Sequence, residues 1–197
     1  LLFFHTGGKQ GTQVSRAVGK SVSLQQINGA SREEFVSALR PLFNNETWPL
    51  ELAWESRPFG DVNELRAAIQ VAVLTADDSR RAALIHDYPA MDELLLADAD
   101  EAATISADRG SLGLTDLDDV QTERITELSA AYRERFDMPF VAYLDTNDTV
   151  DRVIDAGVRR LANSPEQENR TVLGEIVEIA NDRFDILLAD ANPCLLY

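Results

Sequence analysis

The chain has 197 residues, 45% of them hydrophobic, and a formal net charge of -16 with a sequence pI near 4.4. That length and apolar content can bury a sizeable core, and the acidic surplus excludes a nucleic-acid or anionic-membrane partner, each of which needs clustered Lys and Arg. One cysteine, Cys194, excludes an internal disulfide, and with only two distant histidines there is no thiolate or imidazole cluster for a metal.

Residues 1–21 read as a flexible N-terminal extension, because residues 1–20 carry three Lys or Arg and no acid, unlike everything after them. The opening "LLFF" is too short for a signal-peptide core or a membrane span. "VGKS" (18–21) lacks the glycine that a phosphate loop places five residues before Gly19, where Val14 stands.

Residues 22–190 read as one all-α domain of about seven helices, with no strand ladder. "SREEFVSALRPLF" opens on Ser31 with Glu34 three residues on, a capping box, and its stripe is Phe35, Ala38, Leu39 and Leu42. "WPLELAWESRPF" follows with both tryptophans, Trp48 and Trp54, which are expected largely buried near the Arg57-Pro58-Phe59 turn. "DVNELRAAIQVAVL" places Leu65, Ile69 and Val73 at helical spacing behind Asp61 as cap. "DDSRRAALI" is a short helix, and Met91–Asp108 is a charged, weakly apolar stretch.

"TDLDDVQTERITELSAAYRERF" is a long amphipathic helix with Leu117, Val120, Ile125, Leu128 and Tyr132 broadly on one face. "MPFVAYL" (138–144) is the one strand-like run, and "TVDRVIDAGVRRL" is another helix. "SPEQENRTVLGEIVEIANDRFDILL" starts on Ser164 as cap and Pro165 at the first helical position. Residues 191–197 form a tail; its "CLLY" superficially resembles a prenylation box, but ends in Tyr with no polybasic stretch before it.

Chemistry-bearing motifs are sparse. No Ser sits in a Gly-x-Ser-x-Gly turn, and "DELLLADADE" lacks the spacing and glycine of a calcium loop, which leaves a solvated acidic face. "WESRPF" reads as a structural corner, and "RFDMPF" as an extended segment that Pro139 steers into a pocket or core. "LIHDYPAM" (84–91) holds His86, which reads as an ordinary helix-end residue or as a functional one.

Taken in order, "LQQINGASREEFVSALRPLFNNETWPLELAWESRPFGDVNELRAAI", "LIHDYPAM", "LSAAYRERFDMPFVAYL" and "RRLANSPEQENRTVLGEIVEIANDRFDILL" resemble the OHCU decarboxylases across roughly residues 23–188. That family acts on 2-oxo-4-hydroxy-4-carboxy-5-ureidoimidazoline (OHCU) in the last step from urate to (S)-allantoin. The resemblance implies a compact multi-helix domain, a cytoplasmic homodimer, a small anionic ureido-imidazoline substrate and no cofactor. By position it implies catalytic roles for Tyr88 and Asp108 and substrate contacts from Pro89, Arg109, Phe140, Val141 and Arg183, all converging on one cavity.

Two departures stand out. The family's catalytic His precedes the proline, whereas here Tyr88 precedes Pro89 and His86 does not align. The family's Glu-Gln pair before Ala-Gly-Leu is matched by Asp108 and Arg109 before Leu112-Gly113-Leu114, and its Ser by Ile105, flanked by Thr104 and Ser106. A phenol, with a reference pKa of about 10, can donate a proton at neutral pH but is a poor base. The alternative to a working decarboxylase is therefore a catalytically lapsed homologue that binds a ureide or other anion, or an interaction module.

Overall fold

The computed structural model of the chain describes residues 23–96, 117–143 and 149–189. The expectations for residues 1–21, for Asp108 and Arg109 and for the C-terminal tail fall outside these residues. The regular elements described are α1 (Leu24–Gly29), α2 (Arg32–Leu39), a 3₁₀ turn (Arg40–Leu42), α3 (Trp48–Trp54), α4 (Val62–Thr75) and α5 (Asp78–Asp87). They continue with α6 (Met91–Leu96), α7 (Asp119–Phe136), α8 (Val150–Arg160) and α9 (Pro165–Ala189). Among the described residues there is no strand, and no helix is long and apolar enough to cross a membrane.

Local chemistry sets the boundaries. Ser31 caps α2 through the Glu34 N–H, and the Glu34 carboxylate accepts the Ser31 N–H at 2.8 Å. Pro41 cannot donate to a helical ladder, and α2 gives way to the 3₁₀ turn there. Asp61 caps α4 at 2.9 Å from the Glu64 N–H, and Ser164 precedes Pro165, accepting from the Gln167 N–H. The same device recurs at Ser23, Asp77, Asp118 and Thr149, which the sequence reading did not single out. Asp137 closes α7 in the left-handed region, at φ 54°.

One hydrophobic core runs from Ile27 to Phe184. Phe35, Leu39, Leu42, Leu65, Ile69 and Val73 are all buried in it, each contributing roughly 1.5–3 kcal/mol relative to exposure. The long α9 packs on α4, α5 and the 3₁₀ turn. Its apolar side chains Val172, Leu173, Ile176, Ala180 and Phe184 are buried, and Ile179 is partly so.

Several expectations need correction. Residues 91–96, the start of the charged, weakly apolar stretch, form a helix that the sequence reading did not assign, and Glu93 accepts the Ala90 N–H at its first turn. Val120 is 64% exposed. It lies about 140° round the helix from Ile125, outside the buried face. Trp48 and Trp54 are only partly buried. Trp54 does sit at the expected corner, with Arg57 stacked 4.1 Å from its ring centre, whereas Trp48 lies near Arg80. Arg57 also donates to the carbonyls of Asn28, Ala30 and Trp54, so "WESRPF" is a structural corner.

Candidate active site

The "LIHDYPAM" segment begins as the last turns of α5. Proline disfavours the helical conformation of the residue before it, so α5 stops at Asp87. Tyr88 turns extended, at φ -79° and ψ 133°. That turn separates the two candidate residues of the motif. His86 stays exposed on the helix, and the Tyr88 side chain goes into the core, its hydroxyl included.

Arg183 arrives from α9. Its guanidinium carbon lies 5.9 Å from the Tyr88 ring centre, at the outer range of a cation–π contact. Nη1 donates to the Leu42 carbonyl at 3.3 Å and to Asn44 Oδ1 at 3.2 Å. Asn44 in turn donates from Nδ2 to the Asp87 carbonyl at 3.4 Å. Its neighbour Asn45 donates to both oxygens of the Asp87 carboxylate, from the backbone at 2.7 Å and the side chain at 2.8 Å. The loop after the 3₁₀ turn thus latches the residue before Tyr88 and holds the guanidinium beside it.

Phe140 and Val141 lie in the run expected to be strand-like. It is no strand: residues 139–143 carry no regular structure, and no second strand pairs with them among the described residues. Its backbone groups find other partners. The Met91 N–H, two residues past Pro89, donates to the Phe140 carbonyl at 3.3 Å. Arg160 Nη1 donates to the Val141 carbonyl at 3.2 Å, and the Tyr143 N–H donates to Glu175 Oε2 at 2.8 Å. The Phe140 ring is buried against Tyr132, 4.9 Å between centres.

Behind this segment lies a buried ionic cluster. Arg160 donates from Nε and Nη2 to Glu168 Oε1 at 2.9 and 2.6 Å, and from Nη1 to Glu175 Oε1 at 3.2 Å. Glu168, wholly buried, also accepts from Asn163 and from the Tyr132 hydroxyl. Burial pushes the Tyr132 phenol up. Burial likewise raises the Glu175 carboxyl above the usual carboxylate range, against the pull of the Tyr143 N–H and Arg160.

Of the expected positions, Tyr88 lies against Arg183, Pro89 follows Tyr88 in the chain, and the Phe140 carbonyl is tied to Met91, while its ring packs on Tyr132. Val141 continues from Phe140 and turns its carbonyl to Arg160. Asp108 and Arg109 lie outside the described residues. A separate small, mainly apolar cleft between α4 and α9 is lined by Phe43, Arg66, Ile69 and Phe184 and does not include Tyr88. Asn44, Asp87, Arg160, Glu168 and Glu175 were not found from sequence. Glu168 left a signal: it falls four residues before Val172, on the apolar stripe of α9, where a carboxylate needs a buried cation. Chemically, a fixed guanidinium beside a phenol can hold an anionic group and present a proton to it.

The family model described as "OHCU decarboxylase" matches residues 28–185. A 2-oxo-4-hydroxy-4-carboxy-5-ureidoimidazoline decarboxylase of Haloferax volcanii is 37% identical over 164 residues, covering 82% of this chain and 94% of that one. The mouse protein of the same name is 32% identical over 173 residues, covering 85% and 93%. A solved structure described as "Crystal structure of (S)-allantoin synthase" has the same fold, with a TM-score of 0.64 at 21% identity. It is matched over 85% of this chain, which spans 54% of that chain's length. The extent of the family match and the length shared with these relatives lead to one conclusion: this chain belongs to the OHCU decarboxylase family.

Proposed function

We propose that the chain is a carboxy-lyase that decarboxylates OHCU to (S)-allantoin in urate degradation, without a cofactor. The observation that carries this reading is the Arg183 guanidinium held beside the Tyr88 ring at 5.9 Å, within a chain that matches the family from residue 28 to 185. In the reaction the carbon–carboxylate bond breaks, CO₂ leaves and its electron pair delocalises into the adjoining ring system. One proton delivered to one face restores the balance and sets the stereochemistry.

Arg183 holds the anionic substrate by charge-assisted hydrogen bonds. Tyr88 stands where the family places its His and acts as the proton donor, with Asp108 as the second proton-transfer group. Pro89, Arg109, Phe140 and Val141 shape and contact the substrate. A phenol does little as a base at neutral pH, so turnover is slower than in a relative with His at this position. The protein works as a cytoplasmic homodimer, as its likeness to the family implies.

The same Tyr88 favours a second reading, a homologue that binds the ureide without turning it over. Freshly prepared OHCU, followed by circular dichroism as (S)-allantoin forms over the racemic spontaneous background, separates the two. An optically active product formed faster than spontaneous decay supports the lyase. Tight binding of an anionic analogue with only racemic product supports the binding protein.

A further inference from the structure

We propose that Arg160 and Glu175 are positioning residues for this decarboxylation, holding in place the Phe140–Tyr143 backbone, which carries the Phe140 and Val141 assigned above to substrate contact. The inference rests on the reading above. The segment is neither helix nor paired strand, so its buried polar backbone groups need partners from elsewhere. One guanidinium and one carboxylate bracket it: Arg160 takes the Val141 carbonyl at 3.2 Å and Glu175 the Tyr143 N–H at 2.8 Å. The two are joined to each other at 3.2 Å. The Phe140 carbonyl on the other side is tied to Met91, which follows directly from the Tyr88-Pro89 turn.

Arg160 cannot swing away from this position. Glu168, wholly buried, grips two of its nitrogens from behind, and the guanidinium lies 5.5 Å from the Phe140 ring centre and 5.8 Å from that of Tyr132. A buried ion pair is by itself weak evidence for stability, since apolar replacements of similar size often do as well. Here both free ends of the cluster terminate on one stretch of backbone. That placement serves geometry, and a shift of about 1 Å near reacting atoms can cost about 100-fold in rate.

The test uses the full chain with fresh OHCU, reading kcat, KM and product handedness, each well below the variant's melting temperature. Glu175→Ala and Arg160→Lys are expected to lower kcat about tenfold or more, with a smaller change in KM and some loss of handedness. Glu175→Gln keeps an oxygen to accept the Tyr143 N–H and is expected to recover most of the lost kcat. Arg160→Lys could fail to fold, and the Glu175 pair then decides alone. If Glu175→Ala lowers the melting temperature but leaves kcat and KM within about twofold, or if Glu175→Gln gives no rescue, the inference is overturned. If the unmodified chain itself does not exceed spontaneous decay, the lyase reading fails first and takes this inference with it.

Discussion

Arg183 and Asn44, 139 positions apart in sequence, share a hydrogen bond of 3.2 Å, and Asn44 passes the contact on to the carbonyl of Asp87. A half-buried asparagine on the loop after the 3₁₀ turn thereby holds both the charged group that we assign to the substrate and the residue before Tyr88. Replacing it with alanine should remove one tie on the guanidinium, leaving that to the Leu42 carbonyl, without removing its charge. Asn44→Ala is expected to weaken binding of an anionic OHCU analogue by about 1 kcal/mol. In an Arg183→Ala background the same change should add almost nothing. Calorimetric titration of both single variants and the double variant checks this, and additive losses would show that Asn44 acts elsewhere.

Arg183→Ala removes the charge outright. The same analogue should lose roughly 1.5–3 kcal/mol, about tenfold to a hundredfold in Kd. Unaltered affinity would place the substrate away from α9.

Tyr88→His is expected to raise the decarboxylation rate, because an imidazole can act as base as well as acid near neutral pH. General acid–base groups contribute about 10²–10⁴-fold, which bounds the gain. His86→Ala should change the rate little, since His86 is exposed while Tyr88 points inward. Loss of activity in His86→Ala would make His86 the working residue.

The pair Asp92–Arg133 offers a pH test outside the site. Burial pushes the Asp92 carboxyl up, but the Arg133 guanidinium, with hydrogen bonds at 2.9 and 3.0 Å, outweighs it and holds the carboxyl below its usual range. A carboxyl lowered in the folded state adds stability above its unfolded pKa and loses it as pH falls through the folded one. Asp92→Asn should therefore cost about 0.5–1 kcal/mol near pH 7. The gap to the unmodified chain should close as pH drops below the ordinary Asp value of 3.8. Melting curves at both ends of that range read the difference directly.

Gly157 is the most crowded of the described glycines. A Cβ there would lie 2.5 Å from Leu128 Cδ2 and 2.7 Å from Phe140 Cζ. Gly157→Ala must push the Phe140 ring, at a cost of about 1–3 kcal/mol for overpacking. A lowered melting temperature together with reduced turnover is expected. An unchanged melting temperature would mean that the ring yields freely.

What the sequence made legible was local. Ser31 with Glu34, Asp61 before an apolar stripe, and Ser164 before Pro165 are each complete within four residues, and each starts a helix where expected. Val120 misled because it was grouped with Ile125 and Leu128 by apolar character, although it lies about 140° round the helix from Ile125 and off the buried face. The ties that build the site are long-range: Arg183 to Asn44, Asp87 to Asn45, Arg160 to Val141. Nothing in the periodicity of one helix says which distant polar group it meets. Tyr88, Pro89, Phe140, Val141 and Arg183 were reached through likeness to a family, and a residue such as Asn44, on which that likeness said nothing, came only from coordinates.

The contact between Tyr88 and Arg183 also sets an order of events during synthesis. Arg183 leaves the ribosome 95 residues after Tyr88, a delay of roughly 5–20 s at ordinary elongation speeds. Throughout that interval the nascent chain carries the "LIHDYPAM" turn with no guanidinium to face it and no α9 to cover Leu42 and the start of the 3₁₀ turn. Any capacity to grip an anion therefore appears late and abruptly, when α9 docks, and a product cut short before residue 183 would expose apolar surface in place of a site.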